Sequence, residues 1–330
     1  MSALTAVAID AAAQRIAGVV HRTPVMTSES LDRLLADRIP KGSKPAPKLY
    51  FKCENFQKAG SFKARGAANA VAKTLATSDV SGFVTHSSGN HGQALAFAAA
   101  RFNKPCTVVV PSNAPKAKVS AIAAYGAEIV SVEPTITARK GTCHELAEKR
   151  NLAIVDPHDD WDVMEGQGTI AIEMFEQIDG LDAVVLAVGG GGLLGGVAQW
   201  FSERHPEVAV FAVEPEGKDL RKSVKAGTRL WDSGAPVDTI ADGIRVLPIG
   251  EKCFEVVKTL PESAVLTVND SDIASAWRLI HERLKLVIEP TGAVPLAAVL
   301  KYSDVFANFS NIGLVLCGGN VDFVDPLRSK

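Results

Sequence analysis

The chain has 330 residues, of which 47% are hydrophobic and 22% charged, and its formal net charge is −2 at pH 7. Single cores stop growing near roughly 250–300 residues, so this length predicts two compact lobes or one large domain. The near balance of acids and bases argues against nucleic acid or an anionic membrane as partner, and apolar runs such as Ala183–Val188 fall far short of the ~20 residues of a membrane span.

Met1–Val20 contains Asp10 and Arg15 and lacks the basic start and apolar core of a secretory signal. In chain order, Leu49–Cys53, Phe83–His86, Cys106–Val110, Glu128–Val132, Ala183–Val188, Val208–Val213 and Ile312–Cys317 read as buried strands. They are short, rich in Val and Ile, and bounded by Gly, Pro, Asn or Ser. Between them Phe62–Thr74, His91–Phe102, Pro115–Tyr125, Ala138–Arg150, Met164–Ile178 and Leu193–Glu203 carry apolar residues at helical spacing. Ser61 offers a cap for the first of these. The alternation predicts an α/β fold of mostly parallel sheets flanked by helices.

Ile39–Lys48 is basic and Pro-rich and reads as a surface insertion, and Gly227–Ile240 as a second irregular stretch. The expected division is a large lobe of residues 1–52 and 155–330 and an inserted small lobe of 53–154, with a ligand cleft between them. Five scattered cysteines (Cys53, Cys106, Cys143, Cys253, Cys317) form no C-x-x-C pair, which argues for a reducing compartment rather than a disulfide scaffold or zinc cluster. The expectation is a soluble, cytoplasmic protein.

Four segments carry chemistry. Gly189–Gly192 follows a buried strand and precedes a helix, so its amides can point at an anion, with phosphate the expected guest. A tight turn alone would need only one or two glycines. In Gly60–Gly66 (GSFKARG), Lys63 lies in the first turn of a helix, where the positive helix end and partial burial lower its pKa. Such lysines form Schiff bases, although an ordinary solvated lysine fits the same segment. Ser87–Gly92 (SSGNHG) opens a helix after a strand and points Ser88, Asn90 and His91 at the strand ends, where open sheets hold ligands. In Leu316–Asn320 (LCGGN), Cys317 is either a small core residue or a weak neutral partner for a cofactor ring.

In this order and spacing the four segments resemble the fold type II pyridoxal-phosphate enzymes, a tryptophan synthase β-like fold, and most closely the serine racemase and serine/threonine dehydratase family. HRTPV (His21–Val25), GQGT (Gly166–Thr169), TIADG (Thr239–Gly243) and EPTGA (Glu289–Ala293) extend the likeness over nearly the whole chain. The resemblance implies a pyridoxal 5'-phosphate cofactor joined to Lys63, which also moves the Cα proton. Phe62 would pack beside the ring, Asn90 would bond its 3′-oxygen, and Cys317 would face the pyridine nitrogen. Gly189, Gly190, Gly191, Gly192 and Leu193 would hold the phosphate. Ser87, Ser88, Asn90 and His91 would receive the α-carboxylate of a small amino-acid substrate, and a homodimer is implied.

Racemisation needs a second acid/base on the face opposite Lys63, and racemases of the family resemble this chain in carrying a serine at Ser88, which is equally readable as a carboxylate-binding or capping residue. Arg139 stands where racemase-type relatives have an arginine reaching the substrate pocket; a second carboxylate there would favour 3-hydroxyaspartate over serine. The likeness also implies a Mg2+ or Ca2+ site, of which Glu214 and Asp219 are the candidates. Leu220 takes the place of the expected aspartate. Glu29 replaces a serine linked to nucleotide activation, so ATP stimulation is not assumed, and with the chain ending at Lys330 no appended effector module is expected. The expected activity is serine racemisation with β-elimination, giving D-serine or pyruvate and 2-oxobutyrate plus ammonia. A 3-hydroxyaspartate ammonia-lyase giving oxaloacetate is the alternative, followed by a catabolic threonine dehydratase. A nicotinamide-dependent oxidoreductase would need a dinucleotide fingerprint that is missing, and a non-catalytic binder would have little use for Lys63.

Overall fold

The computed structural model describes residues 4–39, 47–231, 237–246 and 248–321, in which ten strands form two sheets. The strands are β1 (Val25–Thr27), β2 (Lys48–Cys53), β3 (Gly82–His86), β4 (Cys106–Pro111), β5 (Glu128–Val132), β6 (Leu152–Ile154), β7 (Ala183–Ala187), β8 (Ala209–Pro215), β9 (Val265–Val268) and β10 (Asn311–Leu316). The larger sheet runs β1-β2-β10-β7-β8-β9 and the smaller β5-β4-β3-β6. Every pairing is parallel except β1 with β2.

Helices cover both sheets: α1 (Ala6–Ile16), α2 (Glu29–Ala36), α3 (Lys63–Thr77), α4 (Asn90–Arg101), α5 (Lys116–Ala123), α6 (Ile136–Arg150), α7 (Trp161–Gln177), α8 (Gly192–Arg204), α9 (Leu220–Ala226), α10 (Glu251–Val257), α11 (Asp270–Leu284), α12 (Pro290–Lys301) and α13 (Ser303–Phe306). Side-chain caps set several starts. Thr135 accepts from Ala138 N ahead of α6, Asp160 from Asp162 N and Val163 N ahead of α7, and Asn269 forms a capping box with Asp272 at α11. Ser61, the expected cap of α3, does not fill that role. Phe62 occupies the cap position, and the buried Ser61 hydroxyl has no partner among the described residues, the Ser61 backbone being drawn into a bridge with Gly318. Among the described residues no helix is long and apolar enough to cross a membrane.

Two main hydrophobic clusters accompany the sheets. One joins β2, β7, β8, β9 and β10 to α7, α8, α11 and α12; the other joins β3 and β4 to α3 and α4. An ionic cluster locks α3 between β2 and α7. Arg65, fully buried, grips Glu54 with Nε and Nη2 at 2.8 and 2.7 Å and Glu173 with Nη1 and Nη2 at 2.6 and 2.9 Å. Lys52 adds a bond of 2.5 Å to Glu173. Fork-to-carboxylate pairs of this kind fix orientation as well as position, and here they fix the helix that begins at Lys63. Most of the Ile39–Lys48 insertion and the centre of Gly227–Ile240 lie outside the described residues.

Candidate active site

In parallel sheets, ligands collect beyond the carboxyl ends of the strands, and here both sheets turn those ends toward one cavity of about 640 Å³. The turns after β3 (Ser87–His91), β4 (Pro111, Asn113), β5 (Pro134), β6 (Pro157, His158), β7 (Gly189–Gly192) and β10 (Cys317) all line it. Phe62 and Lys63 join them because the LCGGN turn pairs with GSFK: Phe62 N donates to Cys317 O at 3.1 Å, and Gly319 N to Gly60 O at 2.9 Å.

The Lys63 ammonium donates to Pro157 O at 2.6 Å and lies 5.1 Å from the Phe62 ring centroid. Burial draws its pKa down to about 8, opposed by the Asp156 carboxylate. Burial would raise the pKa of Asp156, but His158, His86 and the amides of Asp159 and His158 hold it well below the usual carboxylate range.

Each glycine of the turn has its own packing reason. A Cβ on Gly190 would meet the His158 ring at 2.1 Å, one on Gly192 would meet His158 O at 2.9 Å, and one on Gly189 would meet Gly243 O at 3.0 Å. Gly191 has φ +98°, which side chains rarely adopt. The crowding comes from behind the turn, and the amides of Gly189–Gly192 donate to no protein group among the described residues. The first N–H groups of α8 add to this open donor set. Four glycines thus reflect close packing as much as anion binding.

The other expected residues are also at the cavity. Cys317 is buried and its thiol is pushed up to about 12 by burial and then by Glu289, so it is neutral. Ser87 Oγ accepts from Gly89 N at 3.2 Å, whereas Ser88 has no side-chain bond among the described residues. Asn90 Nδ2 donates to both Glu289 oxygens, at 2.9 and 3.0 Å, and its Oδ1 accepts from Asn320 at 2.9 Å. Its amide is therefore engaged, and a ring oxygen would have to compete with Glu289. His91 is buried at the cavity. Burial and the Lys63 charge lower it to about 3, Nε2 faces Val155 O at 3.2 Å, and Nδ1 has no partner. With Nε2–H spent on that carbonyl, Nδ1 is an acceptor, so the ring cannot hold a carboxylate.

Arg139 lines the cavity from the first turn of α6. Its Nε bonds Thr135 O at 3.3 Å, and its guanidinium pairs with no carboxylate among the described residues. Residues the sequence did not single out complete the wall: His158 behind the glycines, and Glu289, whose carboxyl burial raises to about 7. Lys118 of α5 pairs with Asp242 across the cavity.

Glu214 and Asp219 do not form a cation site. The buried Glu214 carboxylate accepts from Leu220 N at 2.8 Å and Arg221 N at 3.3 Å, while Asp219 pairs with Lys222 at 2.7 Å. No group of three or more His, Cys, Asp or Glu suited to a metal occurs among the described residues. A hard cation needs several oxygens, and these residues do not fit one. The lysine, the open amides and the neutral thiol do suit an aromatic aldehyde with an anionic tail.

Two mostly parallel sheets meeting over a half-buried lysine and a glycine turn define a fold type II pyridoxal-phosphate enzyme. The comparisons agree. The family model described as "Pyridoxal-phosphate dependent enzyme" matches residues 16–318. A serine racemase from Dictyostelium discoideum is 38% identical, covering 98% of this chain and 96% of its own. A beta-hydroxyaspartate dehydratase from Paracoccus denitrificans is 41% identical, over 94% and 95%. A crystal structure titled as a pyridoxal 5'-phosphate-dependent aspartate racemase superposes with TM-score 0.91 at 42% identity, over 98% and 97%. The chain belongs to the pyridoxal-phosphate dependent enzymes, in their serine racemase and serine/threonine dehydratase family.

Proposed function

We propose that this enzyme racemises serine and β-eliminates serine and threonine, giving D-serine or pyruvate and 2-oxobutyrate plus ammonia. The observation that carries the reading is a half-buried Lys63 amine, drawn down to about 8, facing a cavity with an uncommitted Ser88 hydroxyl. The bound cofactor supplies the electron sink that lets a Cα–H bond ionise. Lys63, as a free amine, takes the Cα proton, and its lowered pKa suits a base working near neutrality. Ser88 serves as the second acid/base on the opposite face, and proton delivery from it inverts the centre. The amides of Gly189–Gly192 and Leu193 would hold the phosphate, Phe62 would flank the ring, and Cys317 would offer the ring nitrogen a neutral partner. The amides and hydroxyls of Ser87–Asn90 bind the α-carboxylate.

Two assays test this together. Lys63→Ala should abolish the absorbance band that the bound cofactor shows near the visible edge. Ser88→Ala should abolish D-serine formation while sparing most pyruvate release, and equal loss of both contradicts the two-base role.

The Arg139 guanidinium favours a second reading, a 3-hydroxyaspartate ammonia-lyase giving oxaloacetate, since a cation without an acidic partner at the cavity wall suits a substrate's second carboxylate. Relatives named as a beta-hydroxyaspartate dehydratase and an aspartate racemase support it. The homodimer, the cytoplasm and the lobe boundaries at 52/53 and 154/155 belong to the proposal. Five buried, unpaired cysteines support the reducing compartment, and the small sheet drawn wholly from 82–154 supports the boundaries.

A further inference from the structure

Cation chemistry at the carboxyl end of β8 is supplied from within the chain. Lys218 is 6% exposed, and its ammonium donates to Val246 O at 2.5 Å. The Glu214 carboxylate, 2% exposed, lies four residues earlier near the end of β8 and attracts it without direct contact. Glu214 in turn anchors the start of α9 through Leu220 N and Arg221 N, with Thr267 Oγ1 at 3.4 Å. Buried carboxylates persist when a counter-charge and hydrogen bonds compensate them. Lys218 is the positive charge here, and a divalent ion would be repelled by it and short of oxygen ligands.

Val246 closes the segment Thr239–Val246, whose Asp242, Gly243, Ile244, Arg245 and Val246 line the active-site cavity. The segment is tied down along its length: Thr239 Oγ1 and Ile240 N bond Asp270, Asp242 pairs with Lys118, Gly243 N bonds Thr291 Oγ1 at 3.1 Å, and Val246 O accepts from Lys218. Its Gly243 carbonyl sits behind Gly189, close enough that a Cβ there would approach to 3.0 Å. Motion of the segment therefore reaches the glycine turn directly.

We infer that the Lys218 ammonium is a tethered resident cation that fastens the cavity-lining segment Thr239–Val246 to β8, so that this enzyme folds and turns over without a divalent metal. Lys218 touches neither the cavity nor the cofactor turn, and so it is a positioning residue. The inference holds whichever hydroxy amino acid the site prefers.

The test uses the cofactor-loaded enzyme, stripped with EDTA and titrated with MgCl2 or CaCl2, following the melting temperature, the cofactor absorbance, and KM and kcat for elimination. The wild-type chain is expected to keep its melting temperature and kcat through stripping and to gain nothing from either ion. Lys218→Met should melt lower and raise KM by roughly tenfold, the scale of one lost charged hydrogen bond, while its cofactor absorbance is kept. Lys218→Asp should acquire a melting temperature that rises with Mg2+ or Ca2+. If Lys218→Met does not fold, Lys218→Gln, which keeps a shorter donor, replaces it. A wild-type enzyme that loses stability or turnover on stripping and regains it with either ion overturns the inference, as does a Lys218→Met or Lys218→Gln enzyme with unchanged melting temperature and KM. Loss of the cofactor absorbance in the untreated wild type would instead count against the enzyme reading itself.

Discussion

Replacing Lys63 with methionine in the cofactor-free chain should stabilise it, and by an amount that depends on pH. An exposed lysine titrates at 10.5, whereas in the fold Lys63 is drawn down to about 8, chiefly by burial. The folded chain therefore releases this proton before the unfolded chain does. The penalty for keeping Lys63 charged is fully present below about pH 8 and is relieved as the pH rises toward 10.5. The full gap corresponds to roughly 3 kcal/mol, an upper bound because the residue keeps some exposure to solvent. Between pH 7 and 9.5 the wild-type chain should gain up to about 2 kcal/mol relative to Lys63→Met. Urea unfolding of both proteins at the two pH values measures this, since the loss of the Pro157 hydrogen bond is the same at each. A stability difference that does not change between pH 7 and 9.5 would refute a desolvated amine and leave Lys63 an ordinary solvated lysine.

Other perturbations probe other parts of the site. Arg65→Met leaves Glu54 and Glu173 without their forked partner and should cost about 3–5 kcal/mol in urea unfolding; a change under about 1 kcal/mol would show the cluster relaxes into water. Arg139→Gln should lower kcat/KM for 3-hydroxyaspartate by roughly ten- to a hundredfold while leaving serine near the wild-type value. Equal losses on both substrates would remove the second-carboxylate reading. Gly191→Ala must hold φ +98° and place a Cβ within 2.7–2.8 Å of Ile249 and Cys253. A melting-temperature loss corresponding to about 2–4 kcal/mol, with weaker cofactor retention, is expected from the left-handed backbone and the overpacking together.

The interior strands were legible because burial on both faces writes them as short continuous apolar runs, as in Ala183–Ala187. The three strands missed, β1, β6 and β9, are all edge strands of three or four residues, too short to show a period. Helix α12 escaped for the opposite reason. Buried on all sides and interrupted by Pro295, it has no amphipathic stripe to read. At the site, Lys63 and the glycine turn stand out because backbone geometry demands particular residues next to one another in sequence. Glu289 and His158 do not. Glu289 meets Asn90 across 199 positions, and His158 packs against Gly190 and Gly192 of a distant turn, so neither leaves a local signature. Arg65 was in plain view within GSFKARG, but its partners Glu54 and Glu173 lie on other elements and only the fold brings them together.

Burial organises the chemistry as well as the fold. It pushes His86 and His158 down to about 4 and His91 to about 3, and it lifts the Cys317 thiol to about 12, so these groups are neutral at physiological pH. Lys63, near 8, and Glu289, near 7, are left as the perturbed groups of the cavity whose charge changes close to working pH. A base whose imidazole and thiol neighbours are neutral, with the ionised Asp156 beside it, can accept a proton without a competing acid. Glu289 sits on the Asn90 and Cys317 side, where its charge state decides whether Asn90 stays bound to it. The desolvation that destabilises the charged Lys63 is therefore the same feature that makes it usable as a base, and the stability gained by Lys63→Met and the activity lost with it have one physical cause.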